Sequence, residues 1–266
     1  MPTATQPPPS EVTEVRMTFG EHLEELRWRL LKSLVALLAA FVVATIFYQE
    51  LIQFVVRPHN HVMEWLKIDK ADGSLITGSY TKPIWAAMKL SLIVALFAAS
   101  PVIAWQGWRF VAAGLYARER KYVTRYAPVS FLLFVGGCVF GYMVLIPYGL
   151  FGMAQMFTFK DVKPMYVLTD YLDLVMGLTI VTGVIFQLPL IMGFLSAIGL
   201  TTWRTWIKWI KFAIVGIFIA AAILTPTPDV FTQLLLAIPL LLLYALGVGL
   251  SALVGPQKVP APPRPA

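Results

Sequence analysis

Six long apolar segments dominate this chain and limit it to a membrane-spanning helical fold. A helix needs about 20 residues to cross a hydrocarbon core of about 30 Å, and five of the six segments reach or approach that length. Backbone polar groups find no water inside lipid, so a helix is the expected form of each span. The segments cover about 31–48, 84–105, 127–150, 169–198, 212–224 and 231–253.

Composition supports the same fold class. The chain is 58% hydrophobic and only 13% charged, whereas a soluble domain carries about 25% charged residues. We therefore predict an all-α polytopic membrane protein with six transmembrane helices. The segment 212–224 would cover only about 20 Å at the helical rise. Either it recruits the neighbouring region of Trp206 and Trp209, or the bilayer thins around it.

Proline-rich ends frame the membrane region. Residues 2–12 hold four prolines and 256–266 hold five, and neither composition can form a packed core. We predict a flexible N-terminal tail over 1–17, one membrane domain over 18–254 and a proline-rich C-terminal tail over 255–266.

Lysine and arginine predict the orientation. With the N-terminus inside, the inner segments hold fourteen of these residues and the outer segments hold seven. Positive residues are enriched in cytoplasmic loops, so we expect a cytoplasmic (inner) membrane protein with both termini in the cytoplasm. The net charge of +7 is then explained by topology, and we expect lipid rather than nucleic acid as a partner.

Glu25 is the first candidate binding residue, because it is an anion within a basic stretch of the inner face. Thr18 and Glu21 have capping-box spacing and predict a helix that lies along the inner surface before it turns into the membrane. Glu25 and Arg29 are four residues apart, which is the spacing of an ordinary helical ion pair. Spacing alone leaves both a structural and a binding role open.

Glu119 is the second candidate, with the same two interpretations. It either neutralises Arg118 and Arg120 or receives a cationic partner. Two carboxylates at one interface could bind guanidinium groups in a bidentate manner. Beside them are residues that offer apolar surface for a peptide that flanks its cations with apolar side chains: Phe110, Leu115 and Tyr116.

Several sequence blocks closely resemble the TatC family, the core of the twin-arginine protein translocase. They occur in the order of that family and extend over most of the chain. The blocks are HLEELRWRL (22–30), SPVI (100–103), QGWRF (106–110), GLYARER (114–120), FQLP (186–189), LTPTPDVF (224–231) and LLAIP (235–239).

The resemblance implies a glove-like, concave arrangement of six helices that receives signal peptides with paired arginines on folded cargo. It assigns the arginine pair to Glu25 and Glu119 with Phe110 nearby, and Arg27 belongs to the same block. Pro58 matches a position that shapes an outer cap. The implied partners are the single-span subunits TatA and, where present, TatB, in a homo- or hetero-oligomer driven by the proton motive force.

Gln187 departs from the pattern of many relatives, which carry glutamate there. As a polar residue in the fourth span it either forms a helix-packing hydrogen bond or contacts a partner subunit. Ala245 likewise stands where relatives often have glutamate. Asp173 and Asp229 are other acidic candidates, and Asp229 also suits a helix N-cap in the outer turn.

Enzymatic activity is not expected. The chain lacks the Gly-x-Ser-x-Gly, His-Glu-x-x-His and phosphate-loop motifs. A single cysteine, Cys138, rules out a cysteine-cluster metal site, and we expect no cofactor. A small-molecule secondary transporter is the alternative function, but such proteins usually place charged residues near the midplane of the membrane, where this sequence offers only Gln187 and Pro189.

Overall fold

The computed structural model describes residues 19–69, 72–115, 120–156, 164–225 and 230–255. Within these ranges the chain forms ten α-helices and no strand, apart from one parallel bridge between Ile76 and Val167. A π-helical turn, Gly141–Leu145, joins α4 to α5. The helices are α1 (Phe19–Ile46), α2 (Tyr48–Trp65), α3 (Lys82–Ala113), α4 (Arg120–Phe140), α5 (Ile146–Met156), α6 (Leu168–Ile185), α7 (Leu188–Ala197), α8 (Trp203–Lys208), α9 (Ile210–Leu224) and α10 (Val230–Val254).

The predicted all-α fold with six membrane helices is confirmed. Five helical stretches are long and apolar enough to cross a bilayer: Gly20–Ile46, Lys82–Ala113, Thr124–Gln155, Leu168–Ala197 and Val230–Val254. The sixth span is the shorter α9, whose 15 residues extend about 22 Å. It does not recruit the preceding tryptophans, because α8 is a separate helix and Trp209 lies at the break.

The first helix differs from its prediction in one respect. α1 is a single helix of 28 residues, without a break between a surface segment and the span. At about 1.5 Å per residue it is about 42 Å long, which exceeds the hydrocarbon core. α1 is therefore long enough for its charged first turns, which carry Glu25, to lie outside the hydrocarbon core. Thr18, the expected capping residue, lies outside the described residues.

Close approach through glycine joins α4 to α6. Gly137 on α4 and Gly141, which opens the π-helical turn one turn later, both face Thr182. A Cβ atom on Gly137 would lie 2.7 Å from the carbonyl oxygen of Thr182 and 2.8 Å from the Phe186 side chain. Lipid tails are as apolar as leucine, so helices in membranes associate mainly where small residues let their backbones approach.

α2 lies between the first two predicted spans and is not among the helices that are apolar enough to cross a bilayer. Its buried face belongs to a packed cluster that also contains residues of α3, α6 and the start of α5. The cluster includes Val55, Leu90, Ile146 and Leu172. This packing holds α2 against the membrane helices.

α1 packs chiefly on α3, and α7 packs on α10. Ala44 is the one buried side chain within Gly20–Ile46, so most of α1 faces outward. Because α1 and α3 run in opposite directions, the first turns of α1 meet the last turns of α3. This contact brings the Glu25 region beside Phe110.

We predict that Gly137→Ala lowers the thermal stability of the detergent-purified protein, whereas Gly136→Ala does not. Alanine at 137 would overlap the backbone of α6, and overpacking of this kind costs about 1–3 kcal/mol. A Cβ on Gly136 would meet nothing within 4 Å. Both changes raise helix propensity equally, so a difference in melting temperature isolates the contact. Equal melting temperatures would contradict this account of the α4–α6 interface.

Candidate functional site

The first turns of α1 and the last turns of α3 form a compact polar and aromatic site. The rings of His22 and Phe110 stack with centroids 4.4 Å apart and an interplanar angle of 18°. Gly114 lies beside this stack, where an added Cβ would be 3.6 Å from the His22 ring. We define the α1–α3 site by five residues: His22, Glu25, Arg29, Gln106 and Phe110.

Glu25 is not a free carboxylate in this site. It accepts a hydrogen bond from Nη2 of Arg29, one helical turn further along α1. Arg29 also donates from Nη1 to Oε1 of Gln106 on α3, at 3.1 Å. The Glu25 side chain is 28% exposed and that of Arg29 is 14% exposed. The carboxylate thus lies nearer the surface, with the guanidinium behind it.

Two nitrogen atoms of the site are buried without a hydrogen-bond partner. They are Nδ1 of His22 and Nε of Arg29, and Ser91 contributes the one other such side-chain atom in the ranges that the structure describes. Buried polar groups are nearly always paired in native proteins. The described part of the chain therefore does not exhaust the hydrogen-bonding capacity of the site.

The other predicted binding residues lie elsewhere or outside the described ranges. Arg27 is mostly exposed, at 71%, and pairs with Glu24 at 3.7 Å rather than with Glu25. Leu115 packs against a separate cluster formed by Tyr126, Leu190 and Phe194. Glu119, Tyr116 and Asp229 lie outside the described residues. The structure therefore brings together Glu25 and Phe110 of the predicted set.

Sequence reasoning missed His22 and Gln106 as members of the site. A signal for His22 was present, because His22, Glu25 and Arg29 are spaced three and four residues apart and share one helix face. Gln106 is similarly one turn before Phe110 on α3. What the sequence could not supply was the pairing of α1 with the end of α3.

Gln187 forms a reciprocal pair of hydrogen bonds with Ser130 of α4. The Ser130 hydroxyl donates to Oε1 of Gln187 at 2.8 Å, and Nε2 of Gln187 donates to the Ser130 carbonyl at 3.0 Å. The residue lies at the break between α6 and α7. The helix-packing alternative is therefore observed. The next residue, Leu188, lines a groove of about 480 Å³ whose other walls come from α6, α9 and α10 and are almost wholly apolar.

Two further candidate positions have simple surroundings. Asp173 pairs with Lys89 of α3, with Nζ to carboxylate distances of 3.0 and 3.2 Å. Both residues lie within the first three turns of their helices, near one end of the span rather than its middle. Ala245 is exposed and has no group to replace a carboxylate.

Pro58 lies inside α2 and is buried. A proline within a helix has no N–H to offer the carbonyl four residues earlier, which here belongs to Phe54. The hydroxyl of Tyr142 donates to that Phe54 carbonyl at 2.5 Å. The hydroxyl of Tyr171 donates to the adjacent Val55 carbonyl at 2.6 Å. Two tyrosines from the membrane helices thus bind the backbone of α2 at its proline.

His59, the residue after Pro58 on α2, is also buried. Its Nε2 lies 2.8 Å from the carbonyl oxygen of Gly73, so this nitrogen carries the proton. The rings of Tyr166 and Tyr171 meet it edge-on, at centroid distances of 5.2 and 5.4 Å. Burial lowers the pKa of His59 below its ordinary value, although the bond to Gly73 acts in the opposite direction. The neutral ring holds the loop at Gly73 onto α2.

Among the described residues, no group of three or more histidine, cysteine, aspartate or glutamate side chains could hold an ion.

Comparisons with known proteins agree on one family. The family model described as Sec-independent protein translocase protein (TatC) matches residues 21–239. The TatC protein of Koribacter versatilis is 35% identical over 245 residues, covering 91% of this chain and 88% of the relative. That of Deinococcus radiodurans is 33% identical over 265 residues, covering 98% and 96%. A crystal structure of the twin arginine translocase receptor TatC superposes with a TM-score of 0.75 at 34% identity, covering 88% of this chain and 99% of that chain.

We predict that the cost of Tyr142→Phe depends on Pro58. In the native chain the change removes the donor to the Phe54 carbonyl, and the loss of such a hydrogen bond costs about 0.5–1.5 kcal/mol. In a Pro58→Ala background the new N–H of residue 58 supplies that donor, so the same change should cost much less. Thermal unfolding of the four proteins of this double-mutant cycle measures the coupling.

Tyr148→Phe is the matched control, because Tyr148 is exposed on α5 and its loss should leave the melting temperature within error. Equal costs of Tyr142→Phe in both backgrounds would refute the pairing of Tyr142 with the proline-freed carbonyl.

Proposed function

This chain belongs to the TatC family of Sec-independent protein translocases, and on that premise we propose that it is the subunit that receives twin-arginine signal peptides. It is a multi-pass membrane protein and a translocase subunit rather than an enzyme. Its action is then a matter of binding and assembly. We further propose the inner membrane as its location, with both termini in the cytoplasm, in keeping with the distribution of lysine and arginine.

One observation carries the proposal: Glu25 already binds a guanidinium group in the folded chain. The contact is made by Arg29 within the same helix, and it supports the proposal because it places a guanidinium group directly against the carboxylate. Charge-assisted hydrogen bonds of this type are roughly twice as strong as neutral ones. The stacked ring of Phe110 supplies apolar surface on the neighbouring helix.

The second arginine of the signal is assigned to Glu119. That residue follows α3 in sequence, after the stretch that carries Gln106 and Phe110. Arg120, the next residue, donates from Nε to the Leu115 carbonyl at 3.4 Å, so its guanidinium has a partner other than a carboxylate. We propose that Glu25 and Glu119 together form the receptor for the arginine pair.

The apolar stretch of the signal is proposed to follow the exposed apolar side chains toward Gln187. Leucines on the outward face of α1 continue the surface of the site into the membrane level: Leu23, Leu26, Leu30 and Leu34 are all exposed. The signal peptide has a cationic end and an apolar segment. We propose that the cationic end binds at Glu25 and that the apolar segment lies in lipid along these leucines.

TatA and, where present, TatB are the proposed partners. Gln187 carries an amide whose two hydrogen bonds both go to Ser130. The groove lined in part by Leu188 offers apolar surface for one transmembrane helix of a partner. We propose that the partner contacts this amide and groove, and that the proton motive force drives transport.

Peptide binding by the detergent-purified chain tests the receptor proposal. We expect a twin-arginine signal peptide to bind more tightly than the same peptide with both arginines replaced by lysine, because only guanidinium engages a carboxylate in a bidentate manner. Glu25→Gln and Glu119→Gln should each weaken binding at least about tenfold, since a hydrogen bond to a charged group is worth about 1.5–3 kcal/mol.

Glu64→Gln removes one negative charge from the exposed surface of α2 and serves as the control. Equal affinity for both peptides, or equal loss in all three variants, would reject the receptor proposal.

Co-purification tests the partner proposal. We expect Gln187→Leu to reduce recovery of the single-span subunit severalfold while leaving the affinity for the signal peptide within about twofold, because leucine cannot bond a polar partner in lipid. Ser130→Ala leaves the Gln187 amide in place and should preserve recovery. If Ser130→Ala and Gln187→Leu act alike, the amide serves only helix packing and the partner assignment fails.

A further inference from the structure

The Glu25 carboxylate is occupied in the resting protein, which raises the question of how it receives anything else. Its Oε1 accepts from Arg29. A bidentate arginine clamp requires both oxygens of a carboxylate, in two parallel N–H···O bonds. An incoming guanidinium that forms the full clamp must therefore share Oε1 with Arg29 or displace it.

We propose that Arg29 is a built-in competitor for Glu25, and that a signal-peptide arginine binds by exchanging places with it. This inference rests on the proposed function of the site and adds a determinant of its affinity. Arg29 occupies the carboxylate from within the same helix. The free energy of the resting pair is then subtracted from the binding of every ligand that uses Glu25.

The positions of the two side chains suit an exchange. Glu25 is twice as exposed as Arg29, so a peptide approaching from outside reaches the carboxylate before it reaches the resident guanidinium. The two residues are four apart on one helix, and their separation needs only side-chain rotation, with no movement of the backbone of α1.

The bonding of Arg29 also favours its release. One guanidinium nitrogen, Nε, is buried without an acceptor, so the resting position satisfies Arg29 only in part. Its Nη1 is bound to the Gln106 amide, which can retain the guanidinium after Glu25 has been taken. The unpaired Nδ1 of His22 lies on the same face and can bond a backbone or hydroxyl group of the arriving peptide.

The two possible roles of Arg29, as a competitor or as a positioning residue, predict opposite effects of its removal on peptide affinity. If Arg29 orients Glu25 for the peptide, removing the guanidinium weakens binding. If Arg29 competes, removing it strengthens binding. Competition acts on every ligand of Glu25 by the same factor, so the preference for arginine over lysine peptides should stay unchanged.

Titration of a twin-arginine peptide into the full-length purified chain decides between them. We expect Arg29→Gln to lower Kd about three- to tenfold, corresponding to a partly buried ion pair, and Arg29→Lys to lower it less. Glutamine at 29 retains a donor for Gln106, which protects the fold. Lys32→Gln is the control, because it removes one positive charge from an exposed position of the same helix. Exposed charges contribute little to interaction energies, so this change should alter Kd less than about twofold.

The same comparison in a Glu25→Gln background completes the test. Exchange predicts that Arg29→Gln then brings no gain, because there is no longer a carboxylate to release. A higher or unchanged Kd for Arg29→Gln, or an equal gain in both backgrounds, overturns the exchange. If Glu25→Gln alone leaves Kd unchanged, the receptor function itself fails. If Glu25→Gln weakens binding but Arg29→Gln does not strengthen it, only the exchange fails.

Discussion

Helices in lipid gain little by burying apolar side chains against one another, because the surrounding hydrocarbon is equally apolar. The fold of this protein therefore depends on close backbone approach and on internal satisfaction of polar groups. The close approach to α6 of Gly137 on α4 and of Gly141 in the following π-helical turn is of the first kind. The pairing of Gln187 with Ser130, and of Tyr142 with the carbonyl left free by Pro58, is of the second. These contacts fix the helices around which the longer apolar surfaces are arranged.

The α1–α3 site differs from these contacts, because its polar groups are not all hydrogen-bonded. Two of its nitrogen atoms are buried and unpaired, and its carboxylate is held by an arginine from the same helix. Elsewhere in the described chain, the Ser91 hydroxyl oxygen is the one other side-chain atom that is buried without a hydrogen-bond partner. Incomplete satisfaction tends to concentrate where a protein binds something. Membership of the TatC family sets aside the small-molecule transporter, and the Lys89–Asp173 pair near the helix ends offers that alternative no support.

Much of the fold was predictable from hydropathy, because a span in lipid needs a continuous apolar run. Five of the six membrane helices follow from that requirement, and α9 follows from a shorter apolar run. α2 was not predicted as a helix, since its apolar residues are confined to one face and interrupted by Pro58. The break at Trp209 and the uninterrupted course of α1 depend on local backbone geometry, which the apolar pattern does not encode.

The site was predictable within one helix and not between helices. The spacing of Glu25 and Arg29 predicts their ion pair, which the structure contains. The Arg29–Gln106 hydrogen bond joins residues 77 positions apart, and no local sequence pattern predicts such a contact. The roles of Glu25, Phe110 and Gln187 came from the family resemblance and stay proposals, as do those of Glu119, Tyr116 and Asp229, which lie outside the described residues.

The contact between Arg29 and Glu25 has a consequence for biosynthesis. α1 is made before α3, and Gln106 follows Arg29 by 77 residues. At about 5–20 residues per second, roughly 4–15 s of synthesis separate them. Since the ion pair lies within one helical turn, it can form as soon as α1 does. The charge of the carboxylate is then neutralised before α3 has been synthesised. The nascent helix thereby carries its own counter-ion through the period in which it has no other partner.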